Sequence, residues 1–178
     1  MRASVGVLTE HHGLYGRMTA DEYLTFYGQL YRMTDQQIEQ RKGELLAQFG
    51  LSEVRRKKLG EYSKGMRQKL ALIRSMIHDP KVLFLDEPTS AMDPHSAKLV
   101  RDAIAELKRD GRTVVMCTHN LAEAELLADR IAIVRRGEII ALGTPVELKS
   151  KLLGAPLLDA HLTREPLDPT DAFRSTLA

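Results

Sequence analysis

The sequence predicts an α/β fold, a mostly parallel sheet with a block of helices inserted ahead of its middle strands. Three features carry that expectation. Residues 80 to 142 alternate strand, helix and strand patterns, the alternation that goes with a parallel sheet. Val82-Leu83-Phe84-Leu85 is an unbroken apolar run of strand length, as expected of a strand covered on both faces. Residues 19 to 78, by contrast, carry capping signals and helical apolar spacing.

Taken in order, Ser4-Val5-Gly6-Val7-Leu8 reads as an opening strand, followed by a loop from Glu10 to Gly16 rich in Gly and His. Thr19 and Glu22 make a capping box, and Tyr23, Leu24, Tyr27, Leu30 and Tyr31 form one helical stripe. Thr34 and Gln37 repeat the box for a second helix with Ile38, Leu45, Leu46 and Phe49, ended by Gly50. A basic stretch, Arg55-Arg56-Lys57-Lys58, reads as a solvated face and leads to a third helix with Met66, Leu70, Ile73 and Ile77. After the strand at 82 to 85, Asp93 and Pro94 start a fourth helix through Leu99, Val100, Ala103, Ile104 and Leu107, and Gly111 ends it. Thr113 to Cys117 is the next strand, and Asn120 with Glu123 begins another helix. Ile131 to Val134 and Glu138 to Leu142 flank an Arg136-Gly137 turn as a hairpin, and Thr144 to Glu147 caps a short helix. The expected organisation is one domain over 1–154, with a helical subdomain at about 19–78, an α/β part at 80–154, and a loosely attached tail at 155–178.

Composition narrows the function. The 178 residues are 43% hydrophobic, enough for a real core, and their formal charge of +2 makes no case for nucleic acid as a partner. A single cysteine, Cys117, excludes an intrachain disulfide and a multi-cysteine zinc site. No apolar run approaches the ~20 residues of a membrane span. Met1-Arg2-Ala3-Ser4 begins no signal peptide, so a cytoplasmic chain that reaches a membrane only through a partner is expected.

The chemistry concentrates at three places. Asp86-Glu87 follows the apolar strand, which puts two carboxylates at the carboxyl edge of a sheet, where open α/β sheets bind ligands. One acid there can hold Mg²⁺ and the next can polarise an attacking water. Tyr62-Ser63-Lys64-Gly65-Met66 stands at a helix start, where backbone N–H groups and the helix dipole can receive a phosphate, although a plain N-cap explains most serines in that place. His119 sits just past Thr118 at the end of another apolar strand; alone it would read as an ordinary polar residue.

In this order and spacing the pieces resemble the ATP-binding cassette (ABC) ATPase family, a P-loop NTPase fold, and specifically the subunits that drive bacterial exporters of the ABC-2 type. Tyr62 to Met66 is similar to that family's signature motif, in a variant of its usual Leu-Ser-Gly-Gly-Gln. Leu83-Phe84-Leu85-Asp86-Glu87 resembles its Walker B strand with the catalytic glutamate, Ser90-Ala91-Met92-Asp93 its D-loop, and His119 its switch histidine. The resemblance runs from residue 5 to about 150. It implies ATP and Mg²⁺ as ligands, Glu87 and His119 as the catalytic pair, and Asp86 as a Mg²⁺ ligand. It also implies a head-to-tail dimer in which Ser63, Lys64 and Gly65 take the γ-phosphate held by a second subunit, with Asp93 between the two sites. Residues 10 to 50 would dock on a transmembrane permease at the inner face of the plasma membrane, through an aromatic surface of Tyr15, Met18, Tyr23 and Tyr27. Those tyrosines serve equally well as core of the helical section.

Two departures stand out. Glu10 occupies the Q-loop position, where most relatives have glutamine; a carboxylate there can still hold Mg²⁺ or its water. No Gly-x-x-x-x-Gly-Lys-[Ser/Thr] occurs in the chain, so the expectation is an ABC ATPase lacking its phosphate-loop portion and inactive alone. By the same resemblance a missing strand belongs between 113–117 and 131–134, and its loss would uncover Val114, Met116, Ile131 and Ile133. The alternative reading is a non-catalytic fragment or regulatory partner that offers a signature motif and binds no nucleotide itself.

Overall fold

A computed structural model describes residues 4–9 and 13–153. The chain divides into two compact units, with the boundary between Ala128 and Asp129. In the first, a three-stranded sheet contains β1 (Val5–Leu8), β2 (Val82–Asp86) and β3 (Thr113–Cys117) in that spatial order, all parallel. Three helices intervene between β1 and β2: α1 (Ala20–Leu30), α2 (Asp35–Gln48) and α3 (Lys64–Met76). Helix α4 (Pro94–Arg109) connects β2 to β3, and α5 (Leu121–Leu127) follows β3.

Local chemistry sets most of these boundaries. Thr19 Oγ1 accepts the Glu22 N–H at 3.2 Å while Glu22 Oε2 accepts the Thr19 N–H at 2.7 Å, a closed capping box. Thr34 and Gln37 repeat it at 3.3 and 2.9 Å. Gly50 and Gly111 follow α2 and α4 with φ of +65° and +76°, the left-handed turn that a helix end favours and a Cβ resists.

Helix α3 is the hub. From Gln68 to Met76 every residue except Arg74 is buried, because β1 packs on one side and α1 and α2 on the other. The approach of α3 to β1 is so close that a Cβ on Gly6 would collide with the Ser75 carbonyl oxygen. Tyr23, Leu24, Leu46, Phe49, Leu70 and Ile73 are fully buried in the resulting core. Tyr23 is therefore a core residue, whereas Tyr15 keeps 57% of its surface exposed.

The basic stretch departs from its expected solvated role at one position. Arg55 Nε donates to both Asp21 oxygens at 2.8 and 2.9 Å, and Asp21 also faces the buried Lys42 ammonium at 3.4 Å. Burial raises the Asp21 carboxyl, but the Arg55 hydrogen bonds and the Lys42 and Arg55 charges outweigh it and leave the group below its ordinary value. Arg56, Lys57 and Lys58 are exposed as expected.

The sheet also departs from expectation. Leu83 and Leu85 are buried, but Phe84 between them is 45% exposed, so β2 is covered on one face only. The register sets Val7 beside Phe84 and Phe84 beside Val115, and all three look away from the helices. Val114 and Met116 lie on the opposite, covered face and pack against the core. An apolar run records that a strand can be buried on both sides, and cannot say whether a layer is present to do it.

In the second unit, β4 (Ile131–Arg135) and β5 (Glu138–Gly143) form an antiparallel hairpin with a register shift between Ile133 and Val134. Arg136 and Gly137 both take positive φ, +52° and +82°, as the type I′ two-residue hairpin turn requires. Ile131 and Ile133 are half-buried there. Helix α6 (Pro145–Leu153) follows, with Thr144 and Glu147 closing its capping box at 3.2 and 2.9 Å. The expected tail at 155–178 lies outside the described residues. Among the described residues no helix is long and apolar enough to cross a membrane.

Candidate functional site

Parallel pairing of β2 with β3 brings their carboxyl ends level, with Asp86 opposite Cys117. The chain turns sharply after Asp86. Glu87 has φ of +47°, a conformation rare for a residue with a side chain, and its N–H still donates to the Cys117 carbonyl at 2.9 Å. The turn points the Glu87 carboxylate at the start of the loop after β3. There Glu87 Oε1 accepts from the His119 backbone N–H at 2.9 Å and contacts His119 Nδ1 at 2.8 Å. The Glu87 side chain is 27% exposed and that of His119 is 87% exposed, so the pair opens to solvent on the histidine side. Asp86 is half-buried beside them.

The loop beyond β3 is itself held. Thr118 Oγ1 donates to Glu123 Oε2 at 3.3 Å and accepts the Asn120 N–H at 3.1 Å, while Asn120 caps α5 by accepting the Glu123 N–H. Glu123 is 3% exposed, so the contact anchors the His119 loop to the body of the unit.

Ser63 is the N-cap of α3, its Oγ accepting the Met66 N–H at 3.2 Å. Lys64 is exposed, and Gly65 is half-buried with the Ala91 carbonyl oxygen 3.5 Å from where a Cβ would stand. Asp93 caps α4, accepting N–H bonds from His95 and Ser96 at 3.0 Å each. Hydrogen bonds from Ser96 first, then from His95, hold its carboxyl down at about 2.

The structure thus brings Glu87 and His119 into contact, with Asp86 one residue before Glu87 at the end of β2. Among the described residues, no hydrogen bond or ion pair joins Ser63, Lys64, Gly65 or Asp93 to that group. Glu10 lies outside the described residues. Among the described residues no cluster of three metal-ligating side chains occurs, but Mg²⁺ needs only one or two carboxylates beside phosphate and water, and Asp86 fits that use. Gln68 was not legible as a site residue. Its amide, 5% exposed, donates to the Glu87 carbonyl at 2.9 Å and lies 3.4 Å from that of Pro88. A polar residue within a helix otherwise rich in buried apolar positions was its one sequence signal.

Strand-end carboxylates, a histidine one strand away and a capped helix carrying a Ser-Lys-Gly start define the class of an ATP-binding cassette. Residues 1–90 match the family described as ABC transporter, and the chain belongs to that family. It is 43% identical over 145 residues to the fluoroquinolones export ATP-binding protein of Mycobacterium tuberculosis, a match covering 82% of this chain and 47% of that protein. With the daunorubicin resistance ATP-binding protein DrrA3 of Streptomyces coeruleorubidus it shares 40% identity over 154 residues, 86% of this chain and 49% of the relative. A solved structure of the ATP-binding subunit of an ABC transporter superposes with a TM-score of 0.78 at 28% identity, covering 86% of this chain and 65% of that one. The chain spans about half the length of the curated relatives it matches.

Proposed function

We propose that this chain is the signature- and glutamate-bearing portion of an ATP-hydrolysing subunit that powers export through a transmembrane permease. The observation that carries this is the Glu87–His119 contact of 2.8 Å beside Asp86, made by residues 32 apart in sequence at the carboxyl end of a parallel sheet. In this reading Glu87 orients and polarises the attacking water, and His119 holds the Glu87 carboxylate and faces the scissile phosphate. Asp86, with Glu10, holds Mg²⁺, which supplies positive charge against the phosphates. Ser63, Lys64 and Gly65 present the α3 N-terminus to the γ-phosphate on a second, head-to-tail subunit, and Asp93 stands between the two sites. Export is supported by the relative from Mycobacterium tuberculosis, a fluoroquinolones export ATP-binding protein, and drug resistance is the role that names the relative from Streptomyces coeruleorubidus. Residues 10 to 50 are assigned to permease docking, with exposed Tyr15 and Phe26 as the apolar contacts, which places the subunit on the inner face of the plasma membrane. The division into a helical subdomain at 19–78 and a catalytic part at 80–154 belongs to the same proposal.

Phosphate release from MgATP tests it. A chimera with a strand, a Gly-x-x-x-x-Gly-Lys-[Ser/Thr] loop and a helix joined ahead of β1 is expected to turn over, and Glu87→Gln in it to lower the rate about 10²–10⁴-fold. Turnover indifferent to Glu87→Gln would overturn the assignment. The 178 residues by themselves contain no such loop, so the purified chain is expected to release no more phosphate than its Glu87→Gln variant.

A further inference from the structure

Glu87 sits in an uncommon backbone conformation, and such a turn persists only where its surroundings hold it. Its partners are few and specific. The N–H is taken by Cys117, the carbonyl by the Ser90 N–H at 3.1 Å and the Gln68 amide at 2.9 Å, and the carboxylate by His119. Three of these partners lie in the turn itself, on β3 or in the loop that follows β3. Gln68 comes from elsewhere, five residues past the Ser63 cap on the most deeply buried helix of the unit. Because its side chain is 5% exposed, it has no room to swing away from the turn.

We infer that Gln68 is a positioning residue: its side-chain amide fixes the Glu87 turn, and through it the direction of the Glu87 carboxylate, from the helix that carries the Ser63-Lys64-Gly65 start. A shift of α3 along its axis is thereby passed to Glu87 without any contact between Ser63 and the carboxylate. The inference rests on the proposed reading only for what Glu87 does. How Glu87 is held can be measured with no nucleotide present, so failure of one does not imply failure of the other.

The His119 backbone N–H reports directly, because its acceptor is Glu87 Oε1. In hydrogen exchange on the full chain, Gln68→Met, which keeps the length and removes the donor, is expected to speed His119 exchange about ten-fold or more while Ile73 and Leu85 stay unchanged. Gln68→Leu, which is of similar bulk and also lacks the donor, should do the same. His119 exchange unaltered in either variant overturns the proposal, since a side chain that merely filled space would be replaced by Met without reaching His119. If both substitutions unfold the chain, which loss of protection at Ile73 and Leu85 would reveal, the unmutated chain decides. There the Gln68 side-chain N–H and the His119 N–H should open with the same dependence on sub-denaturing urea. Different dependences would show them to be independent and overturn the proposal.

Discussion

Tyr23, Leu24, Leu46 and Phe49 in the helical layer have lost essentially all contact with water, whereas Val7, Phe84 and Val115 on the sheet keep 44 to 46% of their surface exposed. Both sets present mainly apolar surface, and the exposed one carries no polar side-chain atom at all. What differs is cover: α1, α2 and α3 close on one another and on one face of the sheet, while no element of the first unit covers the other face. Apolar character gives a residue a reason to be buried, and the free energy is realised only where another surface excludes the water.

The contrast can be broken most sharply with two phenylalanines. Phe49→Ala is expected to cost about 3–5 kcal/mol, through lost burial plus a cavity that α2 and α3 can only partly close. Phe84→Ala should cost well under half of that, because its ring is already near half-exposed and leaves no sealed void. Urea unfolding of both variants decides; equal losses would mean that the open face is covered in solution.

A second, smaller effect tests the charged seam of the helical layer. The folded Asp21 carboxyl titrates below its unfolded value of 3.8, so its stabilising contribution is complete above that pH and is lost as the pH falls through the folded value. Asp21→Asn, which leaves Lys42 and Arg55 with a neutral partner, is expected to destabilise by roughly 1–3 kcal/mol at pH 7. The gap between variant and parent should shrink as the pH is lowered through the acid range, and a gap constant down to pH 2 would exclude the linkage.

The smallest effect concerns the start of α3. Ser63→Ala removes one cap from a helix whose packing is otherwise intact, so about 1 kcal/mol is expected. If Ser63→Ala also quickened exchange at His119, the α3 start and the Glu87 turn would be tied more tightly than Gln68 alone accounts for.

Much of the local structure could be read directly. Thr19 with Glu22, Thr34 with Gln37 and Thr144 with Glu147 act within three residues, so their geometry follows from the chain. The Glu87–His119 pair was approachable from sequence because each residue follows within two positions of the end of an apolar strand, and parallel pairing sets such ends side by side. Arg55 was harder. Four consecutive basic residues look alike, and only the return of the chain beside α1 singles out the one that meets Asp21.

What the sequence determined by itself is therefore whatever depends on neighbours along the chain: the helix starts, the glycine stops, the hairpin turn and the residues that end the strands. What the tertiary structure decided is which of two apolar faces is covered, which of four cations is paired, and that Gln68 reaches Glu87. Those outcomes depend on surfaces brought together from distant segments, and burial and hydrogen bonding are properties of a contact rather than of either residue that makes it.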